Sequence, residues 1–166
     1  MRDQVRKALS LTIAACLVLM SGAAFGTTTT TTFPVQITVT ASCVINSAGT
    51  LNFGSQGVLT SAVNATSTIQ VQCTNTTPYN IGLNAGTATG ATVTTRKMTN
   101  AGNTISYSLY SNAGMTTNWG NTVGTDTVAA TGNGASQSYT VYGQVPAQTT
   151  PAAATYTDTI TVTVTY

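Results

Sequence analysis

The sequence predicts an all-β domain, built as a Greek-key β-sandwich, and three observations predict it. Apolar and polar residues alternate in stretch after stretch, most clearly over Phe33–Ala41 and Tyr156–Tyr166. A period of two sends alternate side chains to opposite faces of a strand. Beyond residue 26 no window carries an apolar stripe of helical period. Turns rich in Gly and Asn separate the short stretches at uneven spacing, with long loops between some of them. That spacing favours a sandwich over an even up-and-down barrel.

Residues 1–26 read as a removable secretory signal. Arg2, Arg6 and Lys7 form its basic start, Ala8 to Met20 is mostly apolar, and Ala24-Phe25-Gly26 is a small-x-small cleavage site. Ile13-Ala14-Ala15-Cys16 resembles a lipoprotein processing box. The apolar core runs past it to Met20, so Cys16 is expected to leave with the signal. Six threonines, Thr27 to Thr32, then form a polar extended leader with no apolar face.

In Phe33–Ala41, the residues Phe33, Val35, Ile37, Val39 and Ala41 share one face, and Pro34, Gln36, Thr38 and Thr40 the other. β-Branched residues dominate and suit a pleated, half-buried surface. Pro34 lacks an N–H and fits the start of a strand or an edge. A long apolar strand near a free end is an aggregation hazard. We read it as a strand made to complete another protein's sheet; the alternative is that it folds back and completes its own.

Downstream, Cys43 to Asn46 and Thr50 to Phe53 flank a Ser47-Ala48-Gly49 turn, and Gly54 to Gly57 ends that pair. Thr68 to Thr74 places Ile69, Val71 and Cys73 on one face, and Pro78 to Asn84 does the same with Tyr79, Ile81 and Leu83. Ala85-Gly86 turns the chain, and Arg96-Lys97-Met98 is a short polar piece. Thr104 to Ser111 aligns Ile105, Tyr107 and Leu109. Residues 112–134 read mostly as loop around Trp119. Ser138 to Val145 is a strand and 148–154 a loop. Tyr156 to Tyr166 is the strongest strand in the chain, with Ile160, Val162, Val164 and Tyr166 on one side.

After residue 26 the chain has four charged side chains, Arg96, Lys97, Asp126 and Asp158, and there is no His in the sequence. The net charge of that part is zero, because the +2 of the whole chain lies in the signal. Nucleic acid and anionic lipid both call for clustered Lys and Arg, so neither is expected as a partner, and no membrane insertion is expected after signal removal. Cys43 and Cys73 are an even count in an exported chain and read as a disulfide, with a pair of buried thiols as the alternative. Closing that loop removes roughly 3.5 kcal/mol of unfolded-state entropy on the chain-entropy model.

An ordered set of stretches resembles the spore coat protein U domain family, which includes subunits of archaic chaperone–usher pili. They are Leu51-Asn-Phe-Gly54, Ser67–Thr74, Pro78–Gly86, Arg96-Lys-Met98, Ile105–Tyr110, Trp119-Gly120, Thr140–Ala147 and Tyr156–Tyr166. The resemblance implies an immunoglobulin-like sandwich that lacks its final strand. A periplasmic chaperone lends a strand, and an outer-membrane usher exchanges it for the N-terminal strand of a neighbouring copy or a related pilin. Residues 33–41 stand where that donor strand stands, residues 42–166 form the pilin-like domain, and strand 156–166 borders the acceptor groove. The Tyr166 carboxylate is then a candidate anchor for a basic residue of the chaperone; the alternative is that Tyr166 is just the end of a core strand. One domain, where tip adhesins of these systems carry two, implies a shaft or minor subunit of a cell-surface pilus serving adhesion or biofilm formation. A self-contained secreted coat or envelope protein is the alternative.

Chemistry is sparse. General acid–base catalysis draws on His or a tuned carboxylate, and the two remaining Asp lie far apart in sequence. No catalytic, metal-ligating or cofactor-binding residue is expected, and no cofactor. Asp126 reads as a turn residue. Asp158, on the apolar side of its strand, reads as a carboxylate held by backbone N–H groups or as an edge charge. Trp119 reads as a core plug rather than a sugar platform. Arg96 and Lys97 read as a solvated loop pair, with a subunit contact as the sharper reading. Asn64-Ala-Thr66 and Asn75-Thr-Thr77 match the glycosylation sequon, a pattern common by chance in a context that looks bacterial.

Overall fold

A computed structural model describes residues 25–166. The expected signal lies outside these residues except for Phe25 and Gly26. The chain divides into two units, Met1–Ile37 and Thr38–Tyr166. In the first, the described residues have no regular secondary structure and are exposed.

The second unit is all β. Its strands are β1 (Cys43–Ala48), β2 (Val63–Cys73), β3 (Pro78–Leu83), β4 (Arg96–Asn100), β5 (Asn103–Tyr110), β6 (Val128–Thr131), β7 (Ser136–Val145) and β8 (Val162–Thr165). They form a five-stranded sheet of order β1-β2-β7-β5-β4 and a three-stranded sheet of order β6-β3-β8. Every strand pairing is antiparallel. Two antiparallel sheets whose neighbours are mostly non-consecutive make the expected immunoglobulin-like Greek-key sandwich.

The core follows from the alternation. Ile69 and Val71 of β2, Tyr79, Ile81 and Leu83 of β3, Tyr107 and Leu109 of β5, and Val141 and Val145 of β7 are buried. Burying each aliphatic side chain contributes about 1.5–3 kcal/mol. Trp119 is 1% exposed and donates Nε1–H to the Ile81 carbonyl at 2.8 Å, so it is a core plug and not a sugar platform. Cys43 and Cys73 face each other across β1 and β2 and are disulfide-bonded. The β4–β5 hairpin turns on Ala101-Gly102, both at positive φ (45° and 85°). That is the geometry whose twist matches the flanking strands.

Several expectations are corrected. β1 runs through the expected Ser47-Ala48 turn to Ala48, because a bulge at Asn46 restores pairing: Ser47 faces Gln70 and Ala48 faces Ile69. Thr50–Phe53 is not a strand; Leu51 and Phe53 instead cover Gly143, where an added Cβ would lie 2.8 Å from Leu51 and 3.0 Å from Phe53. β2 begins at Val63, since Val63, Ala65 and Ser67 continue its half-buried face with smaller side chains. Val128–Thr131 is a strand inside the expected loop. The piece at 96–98 is β4, and Arg96 is 0% exposed, so it is not solvated. The last segment is not one continuous strand. Thr157 bridges Thr99 of β4, and pairing with β3 begins only at Val162. The segment therefore crosses from one sheet to the other.

Candidate functional site

The sandwich is open along one side. β1 pairs only with β2, and β8 only with β3, so each presents a free edge. Two adjoining clefts of about 480 and 590 Å³ lie on that side. The first runs between Ala48–Phe53 and Thr155–Ile160, and its floor includes Ile69, Leu83, Tyr107, Leu109 and Val141. The second continues between Leu51–Leu59 and Thr150–Tyr156, over Val63, Ile105 and Val145. Leu51, Phe53, Met98 and Tyr156 line both, so together they form one groove. Its floor is the hydrophobic core itself: Ile69, Leu83, Leu109 and Val141 belong to both.

One carboxylate holds the C-terminal wall. Asp158 Oδ1 accepts from Thr87 N at 2.8 Å, Thr87 Oγ1 at 3.0 Å and Thr159 N at 2.8 Å, and Oδ2 accepts from the Tyr107 hydroxyl at 2.8 Å. These four bonds fix the segment at the place where it changes sheets. Gly86, at φ 85°, makes room for this, because a Cβ there would fall 2.0 Å from Asp158 Oδ2. Burial pushes the Tyr107 phenol well above its ordinary pKa, the hydrogen bond to Asp158 and that group's charge add to the rise, and Arg96 opposes it.

Arg96 fixes the floor from below. Its guanidinium donates to four backbone carbonyls: Asn84 at 2.8 Å, Val93 at 2.6 Å, Leu83 at 2.9 Å and Trp119 at 2.8 Å. Burial lowers its pKa, while Tyr107, Asp158 and Asp126 act the other way. Asp126 closes a turn by accepting from Thr122 N at 2.7 Å, the role expected of it. The charged groups of this region hold backbone in place, and among the described residues no group of three His, Cys, Asp or Glu side chains comes together.

The expected site residues separate into three groups. Phe33, Val35, Ile37 and Val39 are 74–87% exposed, Ala41 is exposed too, and residues 25–42 contain no strand. Ile160 and Val162 line the groove, whereas Val164 continues along β8 opposite Ile81. Tyr166 lies past β8 and is 61% exposed. Sequence reasoning missed the opposite wall, Ala48–Phe53. The signal for it was Leu51 and Phe53, two large apolar residues in a stretch otherwise rich in turn formers.

Residues 29–163 match the family model described as Spore Coat Protein U domain. The chain belongs to this family. Among solved structures, this Spore Coat Protein U domain protein is similar to a chain in the crystal structure of the CsuC–CsuE chaperone–tip adhesion subunit pre-assembly complex. That complex comes from the archaic chaperone–usher Csu pili of Acinetobacter baumannii. The identity is 27% and the TM-score 0.57, over 78% of this chain and 40% of that one. The Spore Coat Protein U domain protein thus spans well under half the length of its structural relative. Among curated proteins nothing matches it. Membership makes it a structural protein and not an enzyme.

Proposed function

We propose that the protein is a structural subunit of a secreted surface pilus, joined to its neighbours by strand addition. It is exported through the periplasm, kept assembly-competent by a chaperone, passed through an outer-membrane usher and displayed outside the cell, where the fibre serves adhesion or biofilm formation. The observation that carries this reading is the groove, a cleft over the buried core walled by the half-buried Leu51, Phe53, Met98, Ile160 and Val162, between two unpaired sheet edges. The chaperone in the complex of the similar chain supports the same reading.

The physics of the joint is β-augmentation. Phe33, Val35, Ile37, Val39 and Ala41 of one copy fill the groove of the next, and their backbone pairs with its edges. Each of the four larger side chains gains about 1.5–3 kcal/mol on burial. Each ladder hydrogen bond adds about 0.5–1.5 kcal/mol. Ile160 and Val162 flank the groove, and Val164 and Tyr166 extend the same edge towards the chaperone.

Deleting residues 27–41 tests this. The deleted chain should fold on its chaperone and accept strands, yet donate none, so ladders that survive mild denaturant disappear. A peptide of residues 33–41 should stabilise the chaperone-free deleted chain. Normal polymerisation of the deletion variant would establish the self-contained coat protein instead.

A further inference from the structure

Met98 stands where the two clefts of the groove meet. It belongs to β4, faces Ile105 across the β4–β5 pair and lines both clefts. It is half-buried and packs against the core. Among the described residues that line the groove, it carries the only thioether. The chain has one other methionine after residue 26, Met115, and its surroundings differ. Met115 Sδ accepts from Gln144 Nε2 at 3.2 Å, and Gln144 points away from the core, between the buried Gly143 and Val145. Met115 lines neither cleft.

We infer that Met98 is an oxidation site, that its reagent is a peroxide, and that its oxidation closes the groove to an incoming strand. The inference rests on the strand-addition reading. A lone pair of the thioether sulfur attacks one peroxide oxygen, and the O–O bond breaks. The hydroxyl transferred to sulfur gives its proton to the departing hydroxide, so the products are a sulfoxide and water. Sulfur loses two electrons and the peroxide gains them. A soft apolar group has become a strong hydrogen-bond acceptor. In the open groove, water satisfies that acceptor. Under a seated strand it faces Phe, Val and Ile side chains and has no donor, because the strand's N–H groups pair with the sheet edges. One such orphaned acceptor weakens strand binding about tenfold or more. At Met115 the same oxygen lies outside the groove, beside an amide that already donates to the sulfur. A seated strand covers Met98, so finished joints resist the reagent and unjoined subunits do not.

Full-length chain is treated with hydrogen peroxide both as monomer and as ladders, and the two methionines are followed by mass spectrometry. Met98 should oxidise about tenfold or more slowly in ladders than in monomer, while Met115 changes less than about twofold. Peroxide-treated monomer should stay folded, join about tenfold or more slowly than untreated monomer, and recover on treatment with a methionine sulfoxide reductase. Met98→Leu, a swap of similar volume, should join normally and keep joining after peroxide. Met115→Leu should give no such protection. Equal oxidation of Met98 in monomer and ladders overturns the inference, as does loss of joining in peroxide-treated Met98→Leu or unfolding of the oxidised domain. Each of these leaves strand addition standing, because untreated chains still join. Persistence of the ladders after deletion of residues 27–41 removes strand addition, and the role of Met98 with it.

Discussion

The tetrapeptide Ile-Thr-Val-Thr occurs twice, at residues 37–40 and 160–163, in opposite surroundings. In the second copy, Ile160 and Val162 pack against the core, and Val162 and Thr163 pair with Leu83 and Gly82. In the first, Ile37 is 86% and Val39 74% exposed, and no strand forms. Side-chain pattern decides which face a strand would bury. Whether the strand forms depends on a partner edge for its backbone N–H and C=O groups. The second copy has β3 beside it. The first has the same apolar face with no edge to pair with, in a molecule whose groove offers two free edges.

The same substitution in both copies is the sharpest way to break this comparison. Ile37→Asp puts a charge where a dry pocket is expected, at a cost that removes joining altogether. The variant domain should unfold at the native midpoint while its denaturant-resistant ladders vanish. Ile160→Asp should do the reverse, lowering the unfolding midpoint of the domain itself. Equal loss of stability in both variants would show that residues 33–41 already belong to their own sheet.

Smaller effects probe what keeps the groove open. Arg96→Met leaves four carbonyls without this donor, those of Leu83 and Trp119 in buried bonds and those of Asn84 and Val93 in part-buried ones, and denaturant unfolding should show a loss of about 4 kcal/mol. Replacing both Cys43 and Cys73 by Ala should cost about 2–5 kcal/mol. Fibre yield should then fall through a shortage of folded subunit, while joints already made stay as resistant as before. Gly86→Ala combines a positive φ with a collision at Asp158, and a loss of about 2–3 kcal/mol is expected. It should also slow uptake of the 33–41 peptide, because the wall held by Asp158 is displaced.

The smallest effect is a pH dependence. The Tyr107 phenol titrates above its ordinary value in the folded protein and near pH 10 in the unfolded chain. Above that pH the unfolded chain releases a proton that the folded one keeps. Its contribution is thus fully present below about pH 10 and is lost as pH rises further. Thermal unfolding between about pH 8 and 11 should show this decline, and Tyr107→Phe should reduce it, leaving the share of Tyr79, whose phenol burial and the hydrogen bond to Tyr139 also push up.

How much was legible beforehand follows from side-chain size and from where the hydrogen-bond partners lie. β3, β5, β7 and the second half of β2 carry large apolar residues at alternate positions, and the period of two exposes them directly. The first half of β2 and all of β6 bury Ala, Ser and Val, whose weak contrast with Thr hides the same period. The change of sheet before Val162 left no trace, because the alternation runs straight through it. Asp158 was legible as a carboxylate held by N–H groups, but its partners Thr87 and Tyr107 lie 71 and 51 residues away. Arg96 was unreadable for a different reason. A lone Arg in a polar stretch is ordinarily solvated, and its acceptors are backbone carbonyls, which any sequence supplies.

The placement of the charges has a colloidal consequence. Of the four charged side chains after residue 26, Arg96 is buried, and Asp126 and Asp158 are half-buried and spent on backbone and hydroxyl donors. Lys97, itself half-buried, is the remaining one. A fibre of such subunits, assembled as proposed, should barely move in an electric field. Raising ionic strength from about 0.01 M to 1 M shortens the Debye length from about 30 Å to about 3 Å, yet it finds almost no field to screen. Bundling of such fibres is then governed by their threonine-rich faces and stays nearly constant between fresh water and brine.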